Sequence, residues 1–424
     1  MTTDRGDDSK DEPADGTLAS WQQVVEMPDL LESATEAMRQ EPKGAGVAAI
    51  ARLRQRWSEE CVRVALHLAD ARERARLKFS SPERLVCDRS AVEQASSECV
   101  AEWKAARFGG AGSRAGGLPI VDLCTGMGGD AMALARRGET LAIDRSALRA
   151  WMAGRNAGCA TRVADVTTLT FPDALIHIDP ARRVETDRRR SLTPIHTPSL
   201  AECEAITRTA RGAALKLGPG TDPALIPADG GLEWISERRT LIQLVVWMGA
   251  LREAVELGPA ERLATRLPDG VTRRGVPVAV PIAHASDFER YLFVPDPALE
   301  RSRLLGGLAR DLGLAEPAAG LGLVTGNVAI ASPWLEAYEI IGRPAADERR
   351  IADALRGLGA DDVRVRTRGG SVDADAWTKA LRRRLDRNER GSESPPSAGT
   401  LDVFLLRLGN ERRALIAKAC SQPG

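Results

Sequence analysis

The chain has 424 residues, too many for one ordinary hydrophobic core, so two or three domains are expected. Lysine plus arginine equals aspartate plus glutamate at 59 each, so net charge points neither toward nor away from nucleic acid. Seven cysteines with no C-x-x-C pair argue against a disulfide framework or a metal site. With no apolar run near about 18 residues and no basic-then-apolar leader, the chain reads as a soluble, cytoplasmic protein with reduced thiols.

Residues 1–16 are acidic and polar, with too little apolar surface to order. Residues 17–110 read as a helical region. From Val47 to Phe79 apolar residues recur three and four apart, at Ile50, Leu53, Trp57, Cys61, Val64 and Leu68, which predicts a long helix or a broken pair. Ser90-x-x-Glu93 predicts a capping box opening a helix with Val92, Ala95, Cys99, Val100 and Trp103 on one face. Glycines at 109, 110, 112, 116 and 117 form the linker to an α/β region.

Strand and helix alternate from about 118 to 217, the pattern of parallel strands with crossover helices. Each of four predicted strands ends in an acid: Asp122 in PIVDLCTGMGGD, Asp144 in LAIDRS, Asp165 in TRVADV and Asp179 in LIHIDPARR. Ligands of doubly wound sheets collect at these carboxyl ends. Cys124-Thr125-Gly126-Met127-Gly128-Gly129 turns the first strand into a helix, and its glycines allow positive φ and close backbone approach to a ligand. Gly126-x-Gly128-x-x-Ala131 also fits a dinucleotide fingerprint, and an acid at Asp144 would serve a ribose in either case. Asp122 separates the two readings, because a carboxylate before the glycines would repel a pyrophosphate yet suits a sulfonium and an ammonium. His177, between Ile176 and Ile178, reads as a hydrogen-bonded core histidine.

The motif order D-x-C-x-G-x-G-G, I-D, A-D, I-D-P resembles the class I S-adenosylmethionine-dependent methyltransferases. DLCTGMGGDA with HIDPARR, together with ARLKFSSPERLVCDRSAVEQAS, LKLGPG, YLFVPDPALERSRLLGGLA and VRVRTRGG, is similar to a bacterial group with a THUMP-like domain. The resemblance implies an α/β fold: a Rossmann-like, seven-stranded sheet over residues 111–288, behind an N-terminal helical region. It implies S-adenosyl-L-methionine as cofactor, held by Asp122, Cys124, Thr125, Gly126, Gly128, Gly129, Asp144, Arg145 and Asp165. Asp144 would take the ribose and Asp165 the adenine, while Asp179 and Pro180 would stand beside the transferred methyl. No metal enters this reading. The chain departs from the Pro-Pro-aromatic pattern of many amino-methylating enzymes, with Ala181-Arg182-Arg183 after Pro180. An arginine plane can stack on a base and pair with phosphate.

Beyond Lys216-Leu217-Gly218-Pro219-Gly220, the segments Leu232–Ser236, Leu241–Trp247 and Leu263–Leu267 are expected to supply the last strands, one of them antiparallel. Phe293–Pro297 reads as a junction and Ala298–Leu312 as a helix, within a connecting segment at 289–333. Residues 334–424 read as an α+β unit, THUMP-like by the resemblance. Val363–Arg366 alternates apolar with basic, placing arginines on one strand face. Arg182, Arg183, Arg366 and Arg368 are therefore the candidate substrate contacts, and RNA (tRNA or rRNA) the candidate partner. The alternatives are a methyltransferase for a small molecule or protein side chain, and a non-catalytic RNA-binding protein that keeps the fold.

Overall fold

Apolar residues three and four apart, interrupted where the chain must turn, build the helices that precede the sheet. The computed structural model describes residues 16–40, 45–109, 117–183, 195–283, 287–369, 372–386 and 397–420. Helices span Leu18–Val25, Pro28–Arg39, Val47–Arg54, Glu59–Ala75, Arg89–Gln94 and Glu98–Ala105. The periodic stretch from Val47 is thus a broken pair, and Ser58 caps its second member by accepting from the Cys61 amide at 3.3 Å. The expected Ser90–Glu93 capping box does not form. Asp88 caps Arg89–Gln94, Ser90 donates to Asp88, and Ser97 opens Glu98–Ala105 as a separate helix. A carboxylate just outside the first turn suits the positive end of a helix better than a hydroxyl inside it.

The chain packs as two compact units, Met1–Glu237 with Ile242–Pro259, and Arg238–Leu241 with Ala260–Gly424. Strands of the first are β1 (Ile120–Leu123), β2 (Thr140–Asp144), β3 (Ala160–Val163), β4 (Leu175–Ile178), β5 (Ala181–Arg183), β6 (Ile195–Thr197), β7 (Gly212–Leu217), β8 (Gly231–Glu237) and most of β9 (Thr240–Met248). A separate antiparallel hairpin joins β5 and β6. The second unit begins with β10 (Arg262–Leu267) and β11 (Val271–Gly275). In the larger sheet the strands of the first unit stand in the order β8-β9-β7-β4-β1-β2-β3. In the second unit β10 and β11 pair as an antiparallel hairpin. Alternation of half-buried and exposed residues along β11 suits an edge strand.

Pairs β3–β2, β2–β1, β1–β4 and β4–β7 are parallel, and β9 runs antiparallel to β7. A dinucleotide fold continues its order 3-2-1-4-5-6 with parallel strands, so the reversed β9 departs from that pattern. The helix Glu98–Ala105 is fastened to the sheet through Glu233, which has no exposed surface. Its carboxylate accepts from Trp103 Nε1 and Trp247 Nε1, both at 2.8 Å. Arg107 pairs with the same carboxylate at 3.2 Å and stacks on both indoles, 4.8 and 4.9 Å from their centroids.

In the second unit β12 (Tyr291–Pro295), β13 (Val324–Gly326), β14 (Leu335–Gly342), β15 (Ala360–Arg368), β16 (Gly399–Leu408) and β17 (Glu411–Ala419) form a sheet ordered β13-β12-β14-β17-β16-β15. The residues read as a junction at Phe293–Pro297 begin inside β12, which pairs with β14. The helix expected over Ala298–Leu312 is two, Pro297–Arg301 and Leu305–Leu312, with Arg303 at φ 63° between them. Helices Glu348–Gly357 and Ala374–Asp386 supply Ile351, Leu355 and Leu381 to a core with Val363, Val403 and Ile416. Tyr338, Phe404 and Leu406 pack in a second core with Phe288, Leu292 and Leu321.

Candidate active site

Parallel register aligns the site before any side chain is considered. Leu123 lies opposite Ile143 and Ile178, and Ile178 opposite Leu215. One residue further on, Asp144, Cys124, Asp179 and Lys216 form a row across four strands at the carboxyl edge. Asp122 sits two residues deeper, directly beside His177. The four acids of the sequence are therefore not equivalent: two stand on the edge, one lies below it, and Asp165 lies past the end of β3.

Asp144 is half-buried and accepts from the Gly126 amide at 3.0 Å through Oδ2 and from the Ser146 amide at 2.9 Å through Oδ1. Burial raises its pKa, and the Ser146 and Gly126 amides oppose the rise. A carboxylate offers about four acceptor sites, so two hydroxyls can still be received. Arg145 beside it is exposed. Gly126 has φ 57°, and a Cβ built on it would meet nothing within 4 Å, so the chain leaves a cradle beside this carboxylate. Gly128 has φ 84° for a different reason: a Cβ there would stand 2.8 Å from Ala153 Cα, on the helix Ala147–Ala157. Gly129 faces Ala95.

Asp122 is 1% exposed and does not line the edge. Its Oδ2 accepts from Thr125 Oγ1 at 2.5 Å, and its Oδ1 lies 2.7 Å from His177 Nδ1. Thus it braces the loop from beneath, through the Thr125 hydroxyl. His177 is the hydrogen-bonded core histidine the sequence suggested. Asp165 is exposed and caps the turn Val166–Thr168, accepting from the Thr167 amide at 2.9 Å and its hydroxyl at 2.7 Å. Cys124 adopts φ 58°, uncommon for a residue with a side chain. Burial pushes its thiol well above the usual range, and nearby Asp144 and Asp179 push it the same way. A thiol so held is no nucleophile at neutral pH.

Asp179 follows β4, its amide donating to the Leu123 carbonyl at 3.2 Å, and Pro180 beside it is buried. Lys216 Nζ lies 2.5 Å from Asp179 Oδ2, with the lysine side chain 6% and the aspartate 28% exposed. Lys216 also donates to the Gln94 carbonyl at 3.4 Å, so the helical region reaches the same corner. The sequence reading missed Lys216 as a site residue. Its signal was a lone charge in the otherwise apolar strand Gly212–Leu217, where isolation demands a partner.

Lys104, from the helix Glu98–Ala105, is 1% exposed and lies 2.6 Å from Asp130 Oδ1. Burial lowers its pKa, against the pull of Asp130. Burial acts to raise Asp130, and Lys104, His177 and Lys216 together outweigh it, holding that carboxylate low.

The side chains of Arg182 and Arg183, and residues 188–190, lie outside the described residues. Arg366 Nε donates to Asp402 at 2.8 Å, and its guanidinium lies 5.3 Å from the Tyr338 ring centroid. Arg368 makes a fork to Glu300 at 3.1 and 3.0 Å. Neither tail arginine therefore forms part of an open basic face, because acids within the second unit engage both and Tyr338 also engages Arg366.

Among the described residues no cluster could hold a metal ion, and no helix is long and apolar enough to cross a membrane. No family model matches the chain. Two relatives from Mycobacterium tuberculosis, strains CDC 1551 / Oshkosh and H37Rv, are 29% identical over 240 residues. The match takes in 53% of this chain and 61% of each relative, and both are named uncharacterised S-adenosylmethionine-dependent methyltransferases. A crystal structure from Porphyromonas gingivalis W83, provisionally assigned as a methyltransferase, superposes with a TM-score of 0.65 at 16% identity. That superposition takes in 95% of this chain and 98% of the other, and establishes a shared fold.

Proposed function

We propose that this chain, like the relatives it matches over 240 residues, is an S-adenosylmethionine-dependent methyltransferase, acting on an N–H or O–H group of RNA held beside Asp179. The observation that carries the reading is the edge row Asp144–Cys124–Asp179–Lys216 next to the open cradle at Gly126. Acids dominate that row and its one cation is paired, which suits a cationic donor and disfavours a pyrophosphate. Asp144 would accept the ribose hydroxyls, Gly126 would let the backbone approach, and Asp165 stands beyond for the adenine end.

When bound, the donor supplies an activated methyl on a sulfonium. The protein's part is then alignment, which can lower a barrier by several kcal/mol without a covalent step. Asp179 orients the acceptor and accepts its proton, while Lys216 fixes one carboxylate oxygen and leaves the other toward the acceptor. Cys124, a neutral thiol, takes no covalent role.

Support for RNA comes from the five arginines between 182 and 190, which follow Asp179 and Pro180 in the chain. Arg366 and Arg368 no longer add to it. Their pairing with Asp402 and Glu300 favours the second reading, a small molecule or protein side chain as acceptor. Mass spectrometry of modified nucleosides from cells with and without the protein decides between them. Loss of one methylated nucleoside, restored by the wild type and not by Asp179→Asn, is expected. An unchanged nucleoside profile would favour the second reading.

A further inference from the structure

We propose that His177 and Lys104 are positioning residues for the glycine loop, joining Asp122 and Asp130 into a buried ring that holds the loop in its donor-binding shape. The inference rests on the donor reading above.

The loop needs holding. Three of its residues alternate in left-handed backbone: Cys124 at φ 58°, Gly126 at 57° and Gly128 at 84°. Glycine takes this conformation freely, but cysteine does not. A strained residue of that kind persists where its surroundings over-determine it. Here two carboxylates bracket the strained stretch, Asp122 just before it and Asp130 just after.

The two are joined beneath the loop. Thr125 Oγ1 donates to Asp122 Oδ2 at 2.5 Å, and Asp122 Oδ1 lies 2.7 Å from His177 Nδ1. His177 Nε2 lies 3.2 Å from Lys104 Nζ, which pairs with Asp130 Oδ1 at 2.6 Å. Ser96 completes the chain, accepting from Lys104 at 3.2 Å and donating to Asp130 Oδ2 at 2.9 Å. An ammonium can only donate, so Nε2 accepts and the imidazole proton sits on Nδ1, donated to Asp122. Every member is at most 8% exposed, so water cannot replace a missing partner.

Lys104 and Ser96 belong to the helical region, and Asp122, His177 and the loop to the sheet. The helical region is thereby part of the donor site rather than a separate module. Its attachment through Trp103 and Arg107 to Glu233 fixes where Lys104 arrives.

The test uses the full chain and two readouts. Calorimetry with S-adenosylhomocysteine, well below each melting temperature, is expected to show at least a tenfold loss of affinity for His177→Leu and for Lys104→Met. His177→Asn, which retains a donor toward Asp122, is expected to recover most of it. Amide hydrogen exchange in residues 123–129 of the ligand-free protein is expected to rise in His177→Leu and stay near wild type in His177→Asn. Folded His177→Leu with affinity within twofold of wild type, or unchanged loop exchange, would overturn the ring. If His177→Leu does not fold, Thr125→Val, which removes only the hydroxyl link, takes its place in both measurements, and the same two outcomes support or overturn the ring. A wild type that does not bind S-adenosylhomocysteine sinks the donor reading, and loop exchange still judges the ring.

Discussion

Lys216 Nζ stands 2.5 Å from Asp179 Oδ2 at the carboxyl edge of adjacent parallel strands, the lysine on a strand otherwise apolar. Removing one partner of a fully buried pair costs roughly 3–5 kcal/mol. The Asp179 carboxylate is 28% exposed, so Lys216→Met is expected to cost less, on the order of 2 kcal/mol in denaturant unfolding. The double variant Lys216→Met/Asp179→Asn is expected to regain part of that loss. Strict additivity in the double-mutant cycle would show that the pair does not couple.

Asp144→Ala is expected to weaken S-adenosylhomocysteine binding by roughly 1.5–3 kcal/mol, the worth of a hydrogen bond to a charged group. Calorimetry reads this directly. Asp179→Ala is expected to leave the same affinity within about threefold while abolishing transfer, because the role proposed for Asp179 is toward the acceptor rather than the donor. Equal losses of binding in both variants would contradict that division.

Donor affinity is expected to fall in acid sooner than an ordinary carboxylate would allow, because burial raises the Asp144 pKa. Hydroxyls donate to the ionised form, so binding is complete above the raised pKa and lost as pH falls through it. For the ligand-free protein the sign reverses. The folded state holds the proton more firmly than the unfolded one, so Asp144 contributes stability at low pH that is lost as pH rises through its folded pKa. Calorimetric titrations across the acid range, with Asp144→Asn as control, check both signs.

Two glycines of one loop are expected to respond differently to alanine. Gly128→Ala would place a Cβ 2.8 Å from Ala153 Cα, so overpacking of roughly 1–3 kcal/mol adds to backbone strain. Gly126→Ala meets open space and carries strain alone, about 1–2 kcal/mol. Thermal unfolding should rank Gly128→Ala well below Gly126→Ala. Calorimetry should still find donor affinity reduced in Gly126→Ala, where the new methyl enters the cradle.

Arg368→Met is expected to reduce stability by about 1 kcal/mol, through loss of its half-exposed fork to Glu300. It is expected to leave tRNA binding and its salt dependence unchanged. Arg182→Ala with Arg183→Ala is expected to flatten the salt slope, since a phosphate left without its arginine keeps its counterions. Filter binding over a salt series measures both, and a flattened slope in Arg368→Met would restore the tail as an RNA surface.

The sequence by itself determined the alternation of strand and helix, the glycine loop, and the acids that end the strands. These are local signals: a run of apolar residues, a glycine needing positive φ, an acid where a strand meets a loop. Asp144 and Asp179 were legible as edge residues for that reason. Tertiary structure alone decided which acid stands at the strand edge and which is buried. Asp122 lies only two residues deeper than the edge, but that shift exchanges solvent for His177 and makes it a brace. That Lys216 needs a partner was legible from its apolar strand, but which partner it and Lys104 take was not, because each partner is distant in sequence: Asp179, 37 residues away, and Asp130. The tail arginines misled for the same reason. Alternation placed Arg366 and Arg368 on one face, but only folding brought Asp402 and Glu300 within reach, and a paired arginine offers little to phosphate. Pattern along a chain fixes which way a side chain points; what it meets there depends on packing between segments that pattern does not relate.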